Sequence, residues 1–209
     1  MQEPTLAEVR PGTIIFGPIG GIVPGFFPVG VGQMLLKASS PETFKIRHVL
    51  VCVESAGGGH GPKAVQAMPH GAEEIELTAQ HWTSAYAYVM PNYGISTHTS
   101  LLGMAVGQGY DVAREARALV GTPYSFLDYA ALTAHAASGR GYVPLGQRSK
   151  LERYVASTKH MICSQLADEA MRRAGFHVFN DGRLPQDVMP AALFTGLQKL
   201  GPKSVIIPS

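Results

Sequence analysis

The chain is predicted to have an α+β fold in which a small antiparallel sheet, or a barrel, packs against helices. Its first half contains short β-branched runs separated by Gly/Pro-rich turns, which is typical of antiparallel strands. Its second half contains segments with helical periodicity. The chain has 209 residues, of which 45% are hydrophobic and 15% charged, enough for one good core. We therefore expect a single domain, residues 1–209, with its core between about residues 10 and 190.

Five segments of the first half are predicted to be strands. The second of them is rich in β-branched residues and reads as buried on both faces, with His48, Leu50 and Cys52 pointing one way and the valines between them the other. The third and fourth are expected to pair around a turn at Pro69-His70-Gly71. The predicted strands are Thr13–Phe16, Arg47–Glu54, Lys63–Met68, Glu73–Leu77 and Tyr86–Met90.

An uncharged stretch from Pro11 to Leu36 is long enough to cross a bilayer. Pro18, Pro24, Pro28 and several glycines interrupt it, and each would leave backbone groups unpaired in lipid. We therefore expect no transmembrane span here. The stretch is predicted to form a strand followed by an apolar surface loop that can contact a partner or a membrane surface.

Helical periodicity dominates the second half. The clearest helix is predicted to begin at Cys163 and to end before Gly175, with basic residues in its last turn. The other predicted helices are Gln33–Ala38, Tyr110–Val120, Phe126–Ala137 and Leu151–Thr158.

Charge and cysteine content exclude several functional classes. A net charge of +2 without a basic stripe does not indicate nucleic-acid binding. Cys52 and Cys163 cannot form a disulfide framework, and neither lies in a Cys-x-x-Cys pair, so both are expected to be unpaired thiols and no cofactor or metal is expected. Residues Met1–Arg10 show no signal-peptide pattern.

Cys163 is the candidate nucleophile. It stands where an apolar approach, Met161-Ile162, turns into a helix, so its sulfur should lie near unpaired N–H groups and the positive end of the helix dipole, which favours a thiolate. Such a nucleophile needs a base, and the base needs a third group to orient it. His48 and Gln66 are the candidates, although their contact with Cys163 would be spatial rather than local.

The order of these segments resembles the circularly permuted branch of the NlpC-like papain superfamily, in which the histidine strand precedes the cysteine helix. Each motif is weak alone, and their shared order from about residue 10 to about residue 190 carries the resemblance. The matching segments are Arg10–Ile15, Arg47–Val51, Ala64–Gly71, Gly121–Phe126, Ile162–Leu166 with Ala174-Gly175, and Leu184–Val188.

The resemblance implies a papain-like fold with Cys163 as nucleophile, His48 as base and Gln66 as the third residue. Relatives often have a carboxylate at the third position. An amide can accept a hydrogen bond from the imidazole N–H, but it adds no negative charge to stabilise imidazolium, so low activity is one expectation. The oxyanion is expected to bind the backbone N–H of Cys163, with Tyr124 and Ser164 as further candidate contacts.

The activity implied is cleavage of amide bonds through an acyl-enzyme, with peptidoglycan peptide as the favoured substrate in a bacterial or phage setting. Two alternatives stay open. One is a lipid acyl hydrolase or acyltransferase, which the apolar loop from Phe16 to Val31 would suit. The other is a catalytically weak binding module of a phage particle, which Gln66 would suit. The expected partners are the substrate and other virion or cell-envelope proteins. The protein itself is expected in the cytoplasm or in a virion.

Simpler interpretations apply to other reactive residues. Cys52 lies in mid-strand and is expected to be a core residue. His160 precedes Cys163 by three residues, but a single His-x-x-Cys is too common to predict a metal site. Three carboxylates beside a turn are read as a solvated strand face. They are Glu73, Glu74 and Glu76.

Overall fold

A computed structural model describes residues 9–17, 46–78, 86–88, 108–124, 161–176, 178–179, 181, 188–200 and 204–206. They form an α+β arrangement of an antiparallel sheet and helices, which confirms that part of the prediction. Several predicted features lie outside the described residues, namely most of the apolar loop Phe16–Val31, the helices Gln33–Ala38, Phe126–Ala137 and Leu151–Thr158, and His160.

Six strands of the described ranges form one sheet in which every pairing is antiparallel. Its order is β4-β3-β2-β1-β5-β6. The first four were predicted closely, although β4 begins earlier than expected because the turn before it consists only of Pro69 and His70. The strands are β1 (Ile14–Gly17), β2 (His48–Glu54), β3 (Lys63–Met68), β4 (Gly71–Glu76), β5 (Tyr86–Tyr88) and β6 (Ser204–Ile206).

Three helices belong to the described part of the chain: α1 (Gln108–Ala118), α2 (Cys163–Arg173) and α3 (Pro190–Leu200). Helices α1 and α2 were predicted from the sequence, whereas α3 and β6 were not. A signal for α3 was present, because proline is favoured at the first helical position and the buried Leu193, Phe194 and Leu197 have helical spacing.

The helices cover one face of the sheet. Alternate residues of β2, Val49, Val51 and Val53, point into this main core together with residues from all three helices. Phe16 of β1 contacts Phe194 of α3 edge to face, with ring centroids 5.3 Å apart. On the opposite face a smaller apolar cluster forms from Val9, Ile15, Leu50, Cys52, Ala64 and Leu77.

In addition to its buried residues, α1 contacts the sheet through Arg117. The Arg117 guanidinium donates to both carboxylate oxygens of Glu74, at 2.9 and 3.0 Å, and to Glu54 at 2.9 Å. These contacts tie the end of α1 to β2 and β4. The segment that follows α1 therefore begins beside β4.

Two glycines with positive φ have different surroundings. Gly175 (φ +82) ends α2 in a Schellman motif, in which Phe176 N–H binds Met171 O at 2.9 Å and Gly175 N–H binds Arg172 O at 3.0 Å. A methyl group at Gly175 would meet no atom within 4 Å. At Gly12 (φ +86), a Cβ would lie 2.4 Å from the Cα of Gly109 in α1.

This contrast predicts unequal costs for two alanine substitutions. Gly175→Ala should lower the free energy of unfolding by about 1 to 2 kcal/mol, the cost of left-handed backbone alone. Gly12→Ala should lower it by about 2 to 5 kcal/mol, because backbone must also move. Denaturant unfolding of both variants measures the difference. Equal losses would contradict the close approach of Gly12 to α1.

Candidate active site

α2 begins at the candidate nucleophile. The residue before the helix, Ile162, is extended, and its N–H donates to Gln165 Oε1 at 2.9 Å. Ile162 has no side-chain acceptor, so only this half of a capping box is formed. The first N–H groups of a helix have no partner within it, and here those of Cys163 and Ser164 face the Cys163 sulfur, as the sequence predicted.

The Cys163 thiol is buried against β2. Its side chain belongs to the main core and the residue is 3% exposed. Burial raises the pKa of the Cys163 thiol to about 11, although backbone N–H groups of Val49, Ser164 and Cys163 act in the opposite direction. The thiol is therefore neutral at neutral pH, which differs from the expected thiolate, because desolvation outweighs the helix N-terminus.

His48 is the first residue of β2 and is 6% exposed. Its Nε2 lies 2.8 Å from Oε1 of Gln66, which is also buried. The register explains the contact: Gln66 pairs with Leu50, so His48 is the diagonal neighbour of Gln66 on the same face. The structure thus joins two of the three predicted catalytic residues directly.

Cys163 reaches β2 from the helix side. Its sulfur lies at the N–H of Val49, which follows His48 directly, while the His48 ring lies on the face that carries Gln66. His48 opens the strand, so the sulfur and the ring belong to the same end of β2. The structure therefore brings His48 and Gln66 into direct contact, and Cys163 contacts the backbone at the same end of β2.

A carboxylate extends this arrangement. Gln66 Nε2 donates to Glu73 Oε1 at 2.9 Å, and the other oxygen of Glu73 lies 3.0 Å from His70 Nε2. Burial raises the pKa of Glu73, but hydrogen bonds from His70 and Gln66 lower it more, so the pKa is below its usual range. The solvated-face interpretation holds for Glu74 and Glu76, which are exposed, whereas Glu73 is half-buried and also binds Gln66. The register of Gln66 opposite Glu73 could have indicated this contact.

Tyr124 lies close to the approach to Cys163. The turn after α1 binds the edge of β4, where Ala72 N–H donates to Thr122 O and Gly121 N–H to Ala72 O, both at 2.8 Å. Tyr124 then forms a parallel bridge with Met161 and packs against the main core. The predicted Tyr124 motif therefore lies beside Met161, the residue two positions before Cys163.

Ser164 has a structural contact. It is fully buried, and its hydroxyl lies 2.7 Å from the carbonyl oxygen of Val188. A carbonyl can only accept, so the hydroxyl proton is committed to Val188 and ties α2 to the segment that leads into α3. Its side chain is therefore not directed at an oxyanion, unlike the sequence-based expectation.

Cys52 behaves as a core residue. It is fully buried in the smaller apolar cluster, and its Sγ donates to the Glu54 carbonyl oxygen at 3.3 Å. Burial raises the pKa of the Cys52 thiol to about 12. The thiol therefore stays protonated over the range in which reactive cysteines ionise.

Neither a metal centre nor a membrane helix is found in the described part of the chain. No three His, Cys, Asp or Glu side chains there are gathered in a way that could hold a metal ion. None of its helices has the length and apolar character needed to cross a bilayer.

No protein-family model matches this chain, and a comparison with curated proteins likewise gave no match.

The contact of Ser164 predicts a loss of stability on Ser164→Ala. The change leaves the buried Val188 carbonyl without its donor and should lower the free energy of unfolding by about 1 to 3 kcal/mol. Thr195→Ala is the control, because the Thr195 hydroxyl binds the Ala191 carbonyl within one helix, at 2.9 Å. That change should cost less, and urea unfolding curves compare the two. A Ser164→Ala protein as stable as the parent would contradict the structural role.

Proposed function

We propose that this chain is a cysteine hydrolase that cleaves amide bonds through a covalent acyl-enzyme, with peptidoglycan peptide as its substrate. One observation carries the proposal: the helix-initiating Cys163 contacts the backbone of β2 at Val49, and the preceding residue of that strand, His48, is held by Gln66. A nucleophile, a base and an orienting group are the parts that such chemistry requires.

The neutral Cys163 thiol determines how the reaction begins. His48 takes the thiol proton as the sulfur attacks the carbonyl carbon, so a carbon–sulfur bond forms and the carbonyl oxygen becomes an oxyanion. The backbone N–H of Cys163 at the start of α2 stabilises that charge. The imidazolium then protonates the leaving amine as the carbon–nitrogen bond breaks.

Deacylation uses the same two residues. His48 removes a proton from water, the resulting hydroxide attacks the thioester carbonyl, and the carboxylic product leaves as the carbon–sulfur bond breaks. The proton returns from His48 to Cys163. An amide and one water are consumed, and an amine and a carboxylic acid are produced.

The substrate class follows from the resemblance to the permuted NlpC-like proteins and from the order of their motifs in this chain. The same chemistry on an ester would make the protein a lipid acyl hydrolase or acyltransferase. Peptidoglycan fragments and phospholipid vesicles, each tested with the parent and with Cys163→Ala, separate the two substrates.

A binding module is the second candidate function. The burial of Cys163 at 3% exposure and its raised pKa favour it, because both make the sulfur a poor nucleophile unless a base assists. This candidate assigns Cys163 and His48 to the core. It also predicts a thiol whose reactivity does not depend on His48.

The decisive test is the pH dependence of Cys163 alkylation by iodoacetamide in a Cys52→Ser background. The proposal predicts that alkylation proceeds near neutral pH, below the raised thiol pKa of about 11, because His48 accepts the proton as the sulfur attacks. His48→Ala should slow alkylation at neutral pH by about 100-fold and leave a profile that rises only in strong alkali. Gln66→Ala should have a smaller effect in the same direction.

His60→Ala is the matched control, because His60 is exposed in a turn away from Cys163. It should leave the profile unchanged. A profile that rises only towards pH 11 in the parent, and that His48→Ala does not alter, would refute the hydrolase and support the binding module.

A further inference from the structure

A chain of hydrogen bonds runs from His48 to the surface of the sheet. His48 Nε2 lies 2.8 Å from Gln66 Oε1, Gln66 Nε2 lies 2.9 Å from Glu73 Oε1, and Glu73 Oε2 lies 3.0 Å from His70 Nε2. The first three members lie on successive strands, β2, β3 and β4. Their burial decreases along the chain, from 6% exposure at His48 to 64% for the His70 side chain.

The chemistry of these groups gives the chain a direction. An ionised carboxylate only accepts hydrogen bonds, so the group of Gln66 that faces Glu73 must be its NH₂. The amide oxygen then faces His48. Since that oxygen can only accept, His48 Nε2 must carry a proton, and in the neutral ring the lone pair is on Nδ1.

The carboxylate keeps its charge at neutral pH. Burial raises the pKa of Glu73, but the hydrogen bonds from His70 and Gln66 outweigh burial and lower it. An acceptor that stays ionised holds the amide in one orientation. Without it, the two orientations of an amide differ little in shape.

We propose that Glu73 is a positioning residue: it orients the Gln66 amide and thereby holds neutral His48 in the tautomer with its proton on Nε2. The consequence for catalysis rests on the proposed function, in which Nδ1 of this tautomer takes the thiol proton from Cys163. The Gln66 amide carries no negative charge. Glu73 supplies one, separated from His48 by one more hydrogen bond.

The test reads the tautomer of neutral His48 by ¹⁵N NMR at about pH 8.5, two units above the ordinary histidine pKa. The His48 signals are assigned by their loss in His48→Ala. The key variant is Glu73→Lys, because an ammonium only donates and would turn the Gln66 oxygen towards itself. The amide NH₂ would then face His48 and require an unprotonated Nε2.

We expect the Nε2–H tautomer in the parent and mainly the Nδ1–H tautomer in Glu73→Lys. Glu74→Lys is the matched control, since it makes the same charge change at the next residue of β4, whose side chain is bound to Arg117 instead. Its His48 tautomer should equal that of the parent. If Glu73→Lys does not fold, Glu73→Ala should give a mixture of both tautomers.

A pure Nε2–H tautomer in the Glu73 variants would overturn the proposal. The tautomer is read without substrate, so this outcome is distinct from failure of the hydrolase. A tautomer that switches in Glu73→Lys supports the positioning role even where alkylation of Cys163 is indifferent to His48. Where alkylation does depend on His48, it should slow by about 10-fold or more in Glu73→Lys and stay unchanged in Glu74→Lys.

Discussion

The packing of the first turn of α2 against β2 is the contact on which the rest of the site depends. β2 lies inside the sheet, with β1 and β3 as neighbours, and Val49, Val51 and Val53 are buried under the helices. Because α2 begins at Cys163 on this surface, its sulfur meets the backbone of β2 beside His48. The same burial that builds the core also removes water from the thiol.

This placement has opposing electrostatic effects on Cys163. Burial favours the neutral thiol, whereas the backbone N–H groups favour the thiolate, and burial is the larger effect. A helix N-terminus is therefore not sufficient to activate this cysteine. The proposed reaction therefore requires a base at the end of β2, and the hydrogen bond between His48 and Gln66 holds the His48 ring in place.

Much of the fold could be predicted from the sequence because local patterns determine it. β2 is β-branched, α2 has a clear start and a Gly175 cap, and both were predicted within a residue or two. Contacts between strands could not be predicted in the same way. The roles of Glu73 and Ser164 depend on the register of β3 with β4 and on the segment at Val188, which local periodicity does not specify. Desolvation of Cys163 also escaped prediction, since it results from packing of distant segments.

The most direct test of the central claim is an NMR titration of His48 in the parent and in Cys163→Ala. If the imidazole accepts the Cys163 S–H, the neutral thiol stabilises the neutral ring, so removal of the thiol should raise the apparent pKa of His48. Superimposable His48 curves in the two proteins would show that Cys163 and His48 do not act together, and would contradict the account.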